Sequence, residues 1–255
     1  MERAIILAAG LGQRLVQGRA YPKPLQTVNG LPLITRVLRS LERSGVEEAV
    51  IVVGHLGDTI VEALSDHFFE LNIRFVRNDE YHKPNGTSLL KARDFVQGPT
   101  YLLMSDHLWS RELIEAVRRY PLADDEAVLG IDFKVDSCFD LDDATKVAID
   151  GDRVQSIGKQ LPRYDALDTG VFRITEAVIE ALDRADGPDG CSLSDGMGEL
   201  ARKGRMRVVD VEDAAWIDVD TPEAHVEAER LLRRYGQRLR AMPAADRVRF
   251  VHSAE

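Results

Sequence analysis

Glycines and cations cluster near the start of the chain, in an order that suits the binding of a phosphate chain. The run Leu7-Ala8-Ala9-Gly10-Leu11-Gly12-Gln13-Arg14 is followed by Pro22-Lys23-Pro24-Leu25. Glycines after a first strand let backbone N–H groups approach phosphates, because no Cβ intervenes. Leu15 stands where a dinucleotide fingerprint needs its third glycine, and no G-K-[ST] follows as in a P-loop. Arg14 and Lys23 are the cations that could hold a triphosphate, with ordinary surface charges as the alternative.

Three aspartates follow apolar segments and could bind a metal ion. Asp106 comes just after the apolar run 100–104, and ligands of open α/β sheets bind at the carboxyl ends of strands. Asp218 and Asp220 alternate in an extended segment, so their side chains are expected on the same face. One or two carboxylates with substrate phosphates and water suit Mg²⁺. A helix N-cap or a turn is the alternative role for Asp106.

Short apolar runs alternate with amphipathic segments in the first half of the chain. This pattern predicts strands at 4–8, 48–53, 73–76 and 100–104 and helices at 33–44, 58–65 and 88–96. Continuous apolar strands between helices indicate parallel strands that are covered on both faces. The predicted fold class is therefore α/β, a doubly wound, Rossmann-like mixed sheet with helices on both faces.

The second half of the chain is less regular. It predicts strands at 127–134, 146–149, 154–156 and 170–174, with Asp150-Gly151-Asp152 as a turn. Thr221 is expected to cap a helix that begins at Pro222. The apolar stripe of this helix is Val226, Leu231, Leu232, Tyr235 and Leu239. Seven arginines against two acids follow from position 230 onward, which predicts a solvated helix face and tail, or alternatively an anion or partner site.

Length and composition indicate one globular domain. Of 255 residues, 44% are hydrophobic and 30% are charged. We predict a single domain over 1–255, with a nucleotide-binding half at 1–110, an acceptor-binding half at 111–235 and a C-terminal tail at 236–255. The net charge of −10 argues against a nucleic-acid partner. No apolar run approaches the roughly 20 residues of a membrane span, and we expect a cytoplasmic protein with Cys138 and Cys191 as reduced thiols.

The glycine run together with Pro22-Lys23-Pro24-Leu25 resembles the signature of sugar-phosphate and alcohol-phosphate nucleotidyltransferases, over nearly the whole chain. The resemblance implies the nucleotidyltransferase fold, Mg²⁺ on Asp106, Asp218 and Asp220, and a catalytic role for Arg14 and Lys23 at the α-phosphate and pyrophosphate. Ser88 could equally be a helix N-cap. The nucleotide-binding residues implied are Leu7, Ala8, Ala9, Gly10, Leu11, Gly12, Gln13, Arg14, Lys23, Gly86, Thr87 and Ser88.

Further segments are similar, in the same order, to those of CTP:inositol-1-phosphate cytidylyltransferases, among them 143–147, 157–161 and 168–172. The resemblance implies that Lys159 is a catalytic lysine that binds the acceptor phosphate, with Lys146 as a second. Solvation at a strand edge is the alternative for Lys146. Asp168 could accept hydrogen bonds from acceptor hydroxyls or form a turn before Gly170. His107 is read as an acceptor-binding residue that shapes the site, because a phosphomonoester already carries an anionic nucleophile.

The sequence therefore predicts attack of an acceptor phosphate oxygen on the α-phosphorus of CTP, giving a CDP-alcohol and pyrophosphate. The expected partners are CTP or another nucleoside triphosphate, a phosphoalcohol such as inositol 1-phosphate and, as one option, a second copy in a homodimer. The alternatives are a sugar 1-phosphate, phosphocholine or phosphonate acceptor, or a non-catalytic nucleotide-sensing module. Relatives of this kind are often fused to a membrane-embedded phosphotransferase, and the chain is predicted to be a stand-alone version.

Overall fold

A computed structural model describes residues 1–16 and 21–234 of the chain. The strands are β1 (Arg3–Ala8), β2 (Thr27–Val28), β3 (Leu31–Pro32), β4 (Glu48–Val53), β5 (Asn72–Arg77), β6 (Thr100–Met104), β7 (His107–Trp109), β8 (Ala127–Asp132), β9 (Lys146–Asp150), β10 (Arg153–Gly158), β11 (Ala166–Ile174), β12 (Met206–Asp210) and β13 (Trp216–Asp218). The helices are α1 (Gln13–Val16), α2 (Leu33–Arg43), α3 (Gly57–Ser65), α4 (Asn85–Lys91), α5 (Arg111–Arg119), α6 (Glu176–Ala185), α7 (Leu193–Arg202) and α8 (Pro222–Arg234).

One sheet of nine strands runs through both predicted halves, in the order β5-β4-β1-β6-β11-β8-β12-β10-β9. β1 pairs in parallel with β4 and β6, and β12 pairs in parallel with β8. β11 is antiparallel to both β6 and β8, so a single strand joins the two groups. β9 and β10 form an antiparallel hairpin around the predicted turn, with Gly151 at φ +60°. The sheet is therefore mixed, as the sequence predicts.

Apolar side chains pack on both faces of this sheet because its central strands are buried throughout. On one face, residues of β1 and β4 such as Ile5 and Val50 pack against α4, α6 and α7. On the other face, their neighbours Ile6 and Ile51 pack against α2, α3 and α5. Successive side chains of an extended strand point to opposite faces of the sheet. A strand that is apolar throughout therefore needs helices on both faces, as the sequence predicts. The predicted fold class is confirmed.

A third apolar cluster lies under the glycine run. Val28 of β2, Leu108 of β7 and Ile217 of β13 pack with Leu232 of α8, and Leu15 of α1 is partly buried against them. Thr221 caps α8 as predicted, since its hydroxyl accepts a hydrogen bond from Ala224 N at 3.1 Å. The last helix of the described chain, α8, thus belongs to the apolar cluster against which Leu15 of α1 packs.

The helix predicted at 88–96 begins earlier and ends earlier. α4 starts at Asn85 after Pro84, and a short 3-10 turn, Arg93–Phe95, follows it. Ser88 is therefore inside the helix and is not its N-cap, because Pro84 fixes the helix start three residues before the expected one. The strand expected to reach Lys134 ends at Asp132.

Several expectations concern features away from the sheet. Cys138 is partly buried and Cys191 is buried, and both are free thiols. Within residues 1–16 and 21–234, no helix has the length and apolar character needed to cross a bilayer. Tyr235 and Leu239 of the expected helical stripe, and the predicted tail at 236–255, lie outside the described residues.

Gly86 sets how closely α4 approaches the connection between α6 and α7. A Cβ at Gly86 would lie 2.6 Å from Cys191 O, so Gly86→Ala should lower the free energy of unfolding by roughly 1–3 kcal/mol, as in an overpacked core. Gly198→Ala is the control, because a Cβ there meets nothing within 4 Å and alanine favours a helix by up to about 1 kcal/mol. Urea denaturation measures both values. Equal stability of the two variants would contradict the close packing at Gly86.

Candidate active site

The glycine run and Asp106 meet at one edge of the sheet. β1 and β6 are parallel neighbours, and Ser105 N donates to Leu7 O at 3.2 Å just beyond their paired residues. Gly12 has φ +59°, and a Cβ at this position would collide with the side chain of Lys23. The glycine therefore serves two purposes, since it turns the backbone and lets Lys23 approach the loop.

The ammonium group of Lys23 is surrounded by the three aspartates chosen from the sequence. Its side chain is 7% exposed, and its Nζ lies 2.7 Å from Asp106 Oδ2 and 3.9 Å from Asp218 Oδ1. Asp220 also forms an ion pair with it. The pairing of β13 with β7 places Asp218 opposite His107, and Val219 N donates to Asp106 O at 3.0 Å. Two short strands thus bring residues more than 100 positions apart to one ammonium group.

Arg14 extends this arrangement across the site. Its guanidinium pairs with Asp220 and lies 2.8 Å from Asp143 Oδ2. The other oxygen of Asp143 accepts a hydrogen bond from Lys159 Nζ at 2.6 Å. Positive and negative groups therefore alternate from Asp106 to Lys159. We call this series the charge chain, namely Asp106, Lys23, Asp220, Arg14, Asp143 and Lys159.

The charge chain perturbs the titration of its members. Burial alone would raise the pKa of Asp106, but Lys23 and His107 hold that pKa well below its usual range. For Asp143, burial is likewise outweighed by hydrogen bonds from Lys159 and Arg14, so its pKa is lowered. Both carboxylates are therefore ionised near neutral pH.

His107 lies beside the same carboxylates. Its Nδ1 is 2.8 Å from Asp106 Oδ1 and 3.7 Å from Asp218 Oδ1. Burial disfavours the charged ring, but Asp218 and Asp106 raise the pKa of His107 to about 9. The ring stacks on Trp216 with 12° between the planes, and a Cβ at Gly170, where φ is +74°, would collide with it. A charged, tightly packed imidazole is unsuited to act as a base, in keeping with the shaping role predicted.

The carboxylates fit a divalent cation. Asp218 Oδ1 is buried and accepts no hydrogen bond, and burial raises the pKa of this carboxyl. Ligand oxygens of Asp143, Asp218 and Asp220 lie within 4.8 Å of one another, and so do ligand atoms of Asp106, His107 and Asp218. The group of Asp143, Asp218 and Asp220 offers only oxygen ligands, one of them the unsatisfied Asp218 Oδ1, and Mg²⁺ prefers oxygen ligands of this kind.

Two cavities meet over the charge chain. The loop cavity has a volume of about 450 Å³, and its wall includes nine of the predicted nucleotide-binding residues, Leu7, Ala8, Ala9, Gly10, Leu11, Gly12, Arg14, Lys23 and Ser88. The large cavity has a volume of about 510 Å³ and is lined by three predicted acceptor-binding residues, His107, Lys159 and Asp168. Asp106 and Asp220 line both cavities. Two ligands bound side by side would therefore meet at these aspartates.

Asp168 forms a turn with Gly170 and also lies in the wall of the large cavity. Its Oδ1 accepts a hydrogen bond from Gly170 N at 2.7 Å, which is the turn alternative, and the residue also lines the large cavity. Burial raises the pKa of Asp168 to about 6, against the lowering effect of the Gly170 N–H group. A buried carboxyl of this kind needs further hydrogen bonds, which hydroxyl groups in the cavity could donate.

Some predicted residues lie elsewhere. Gly86 packs on the backbone of Cys191 and Ser192, and Thr87 N donates to Cys191 O at 3.2 Å, so both residues hold α4 against its neighbours and line neither cavity. Of the three predicted residues Gly86, Thr87 and Ser88, Ser88 lines the loop cavity, and its hydroxyl accepts a hydrogen bond from Asn78. Gln13 is the first residue of α1.

Lys146 fits neither sequence alternative. It is buried in the sheet, and its ammonium donates to Asp142 O at 3.1 Å. It is not solvated, and it is not among the residues that line the large cavity, so the structure does not bring it together with the other predicted acceptor-binding residues. Pairing of β9 with both β10 and β11 is the reason, since it buries a position that the sequence suggested was at an edge.

Sequence reasoning missed two residues at the junction of the cavities. Asp143 belongs to a segment that was noticed, but no predicted element placed its carboxylate near Arg14. Asn85 lines both cavities, and its Oδ1 accepts a hydrogen bond from Leu193 N at 3.0 Å. Asn85 directly precedes Gly86, Thr87 and Ser88, which the sequence analysis names as nucleotide-binding residues, so its position next to them is the signal that could have found it.

Known proteins resemble this chain over most of its length. Residues 4–134 match the family model described as a MobA-like NTP transferase domain. The chain is 39% identical over 223 residues to a bifunctional IPC transferase and DIPP synthase of Rubrobacter xylanophilus, covering 86% of this chain and 49% of the relative. It is 35% identical over 233 residues to the protein of the same name from Thermococcus kodakarensis, covering 91% and 50%. The chain thus spans about half the length of the curated relatives that it matches.

A solved structure shares the fold. The inositol-1-phosphate CTP transferase from T. maritima superimposes with a TM-score of 0.78 at 24% identity, covering 91% of this chain and 96% of that one. Because 91% of this chain is covered, the likeness in fold extends beyond residues 4–134, which the family model matches.

Removal of the Lys23 ammonium should make stability depend on pH. In Lys23→Met the neighbouring carboxylates lose their cation, so their folded-state pKa values rise above those of the unfolded chain. Stability is then lost as pH rises, and we expect a deficit of about 3–5 kcal/mol at pH 8 and a smaller one at pH 5. Urea denaturation in EDTA measures both. Lys91→Met, which breaks the exposed pair with Glu80, is the control and should change stability by less than about 1 kcal/mol. Equal deficits of Lys23→Met at both pH values would contradict this view.

Proposed function

The chain belongs to the MobA-like NTP transferase family, and on that premise we propose that it transfers CMP from CTP to inositol 1-phosphate, releasing pyrophosphate. The observation that carries the proposal is the meeting of the two cavities over one charge chain. Arg14 and Lys23 face the loop cavity, while Lys159 faces the large cavity. Cations are thus available to two anions that must approach each other for phosphoryl chemistry.

The loop cavity suits the triphosphate. Gly10 and Gly12 have no side chain that would cover the backbone N–H groups of residues 9–12. Arg14 is half exposed beside them. Charge accumulates on the pyrophosphate as it leaves, so a guanidinium and an ammonium fixed beforehand by carboxylates stabilise the transition state without reorganising at that moment. Positioning by Arg14 and Lys23 is the catalytic contribution that we assign to this side.

Asp106, Asp218 and Asp220 would hold Mg²⁺ at the junction of the cavities. A bound divalent cation would supply charge neutralisation between the carboxylates and the phosphates. All three side chains line the large cavity, and Asp106 and Asp220 also line the loop cavity, so the carboxylates can reach ligands in both. The Asp106 carboxyl is kept ionised by Lys23 and His107, which lower its pKa.

The large cavity suits a phosphorylated polyol. Lys159 is half exposed and can bind the acceptor phosphate, while Asp168 and the charged His107 form part of the wall. The acceptor phosphate is already anionic near neutral pH, so its oxygen can attack the α-phosphorus in line without a base. Similarity to the bifunctional IPC transferases, together with the segments that resemble CTP:inositol-1-phosphate cytidylyltransferases, supports CTP and inositol 1-phosphate as the pair. The homodimer and the cytoplasmic location stay predictions.

A substrate panel tests the proposal. CTP, UTP, GTP and dTTP are each combined with inositol 1-phosphate, glucose 1-phosphate, phosphocholine and 2-aminoethylphosphonate, and pyrophosphate release is measured with Mg²⁺ and with EDTA. We expect the fastest release from CTP with inositol 1-phosphate, because ring hydroxyls can satisfy groups such as Asp168 that choline leaves unpaired, and no release in EDTA. A better hexose phosphate or phosphocholine would overturn the acceptor but not the reaction. No release with any pair would favour a nucleotide-sensing module.

Lys159 provides a test of the acceptor side. Lys159→Ala removes the ammonium that we assign to the acceptor phosphate, so the KM for inositol 1-phosphate should rise roughly ten- to hundred-fold, the equivalent of about 1.5–3 kcal/mol. The KM for CTP should change much less. Steady-state kinetics with each substrate varied in turn measure both constants. A larger change in the KM for CTP would place Lys159 on the nucleotide instead.

A further inference from the structure

We propose that Asp143 is a positioning residue that holds Arg14 and Lys159 on one carboxylate, so that the nucleotide-side cation and the acceptor-side cation converge where the substrates meet. The inference rests on the proposed function, because it assigns Arg14 to the triphosphate and Lys159 to the acceptor phosphate. Asp143 does not contact the reacting atoms in this role. It acts through the two cations.

The geometry of this carboxylate supports the role. One oxygen of Asp143 lies 2.8 Å from Arg14 Nη1, and the other lies 2.6 Å from Lys159 Nζ. Each oxygen therefore serves one cation. Within the described part of the chain, the ion-pair partners of Arg14 are Asp143 and Asp220, whereas Lys159 pairs with Asp143. Loss of the Asp143 carboxylate would leave Lys159 without an ionic restraint.

The three residues come from separate parts of the fold. Arg14 is on α1 after the glycine run, Lys159 directly follows β10, and Asp143 is in the connection between β8 and β9. The ammonium and the guanidinium repel each other and are both about half exposed, so neither is held by packing alone. A shared carboxylate is the simplest restraint that brings such a pair together.

Asp143 is itself held independently of the cations. A turn fixes its backbone, since Ala144 N donates to Asp140 O at 3.0 Å. Two residues after Asp143, the carbonyl of Thr145 accepts a hydrogen bond from Asp168 N at 2.9 Å. This bond anchors the segment to β11. The backbone that carries the carboxylate is thus held by a turn and by β11, independently of the two cations.

The charge balance gives the role a distinctive signature. Arg14, Asp143 and Lys159 together carry one net positive charge, and Asp143→Asn raises it to two. Anionic substrates should then bind as well as before or better, so KM should not rise. The cations should lose their convergence, so kcat should fall. A residue that merely supports the fold would instead lower stability, and a metal ligand would alter the Mg²⁺ requirement.

The experiment compares Asp143→Asn with Asp183→Asn in the full chain, using CTP, inositol 1-phosphate and Mg²⁺. Asp183 is a matched control, because it also pairs with an arginine, Arg93, at 2.8 Å but lines neither cavity. We expect kcat of Asp143→Asn to fall roughly ten- to hundred-fold, as for a small misplacement of reacting groups. Both KM values and the half-saturating Mg²⁺ concentration should stay within about threefold of wild type. The melting temperature should stay within about 3 °C of wild type, as for the control.

A second arm uses Lys159. In a Lys159→Ala background, Asp143→Asn should lower kcat less than it does in the wild type, because one of the two cations that it brings together is gone. Additive effects would overturn the proposal, as would an unchanged kcat of Asp143→Asn. A tenfold rise in the half-saturating Mg²⁺ concentration would make Asp143 a metal ligand and overturn it too. An inactive wild type would overturn the proposed function together with this inference, whereas an active wild type with an unaffected variant would overturn the inference alone.

Discussion

A buried ammonium group needs carboxylate partners, and the arrangement of this site follows from how the chain supplies them to Lys23. One partner, Asp106, comes from the strand beside the glycine run, and two come from the segment before α8. A charge left alone in such a place would cost several kcal/mol. The pairing of β7 with β13, which is only three residues long, is thereby fixed by electrostatics as much as by its own hydrogen bonds.

The same constraint explains why two cavities share one wall. Asp106 and Asp220 face Lys23 at the edge of the sheet. The loop cavity lies on one side of these two carboxylates and the large cavity on the other. β11 widens the acceptor side, since its register shifts between Asp168 and Phe172 where Gly170 adopts a positive φ. That irregularity makes room for the His107 ring and points Asp168 into the large cavity. Charge pairing and strand geometry therefore act on the same few residues.

Much of the fold and part of the site could be predicted from the sequence, because local signals were strong there. Buried strands such as β4 read as continuous apolar runs, Thr221 with Pro222 marks a helix start, and Asp106 follows a strand at the edge where ligands bind. Lys146 and Asp143 could not be placed in this way. Their surroundings depend on pairings between distant strands and on a loop whose conformation has no periodic signal. The sequence also does not show that the small size of Gly86 serves helix packing, because a close approach of backbone and a ligand contact call for the same residue.

The order in which the chain is synthesised has a consequence for this centre. Lys23 and Asp106 are made early, but Asp218 and Asp220 emerge more than 100 residues later, and α8 comes after them. A nascent chain that ended within the first 134 residues would carry a lysine prepared for burial with one of its three counter-ions. In such a fragment the ammonium group of Lys23 would stay exposed to water, because two of its carboxylate partners are missing. Leu15 would lack the apolar cluster that includes Leu232. The centre is therefore complete only in a chain that includes β13 and α8, and a shorter product would lack two of the three counter-ions of Lys23.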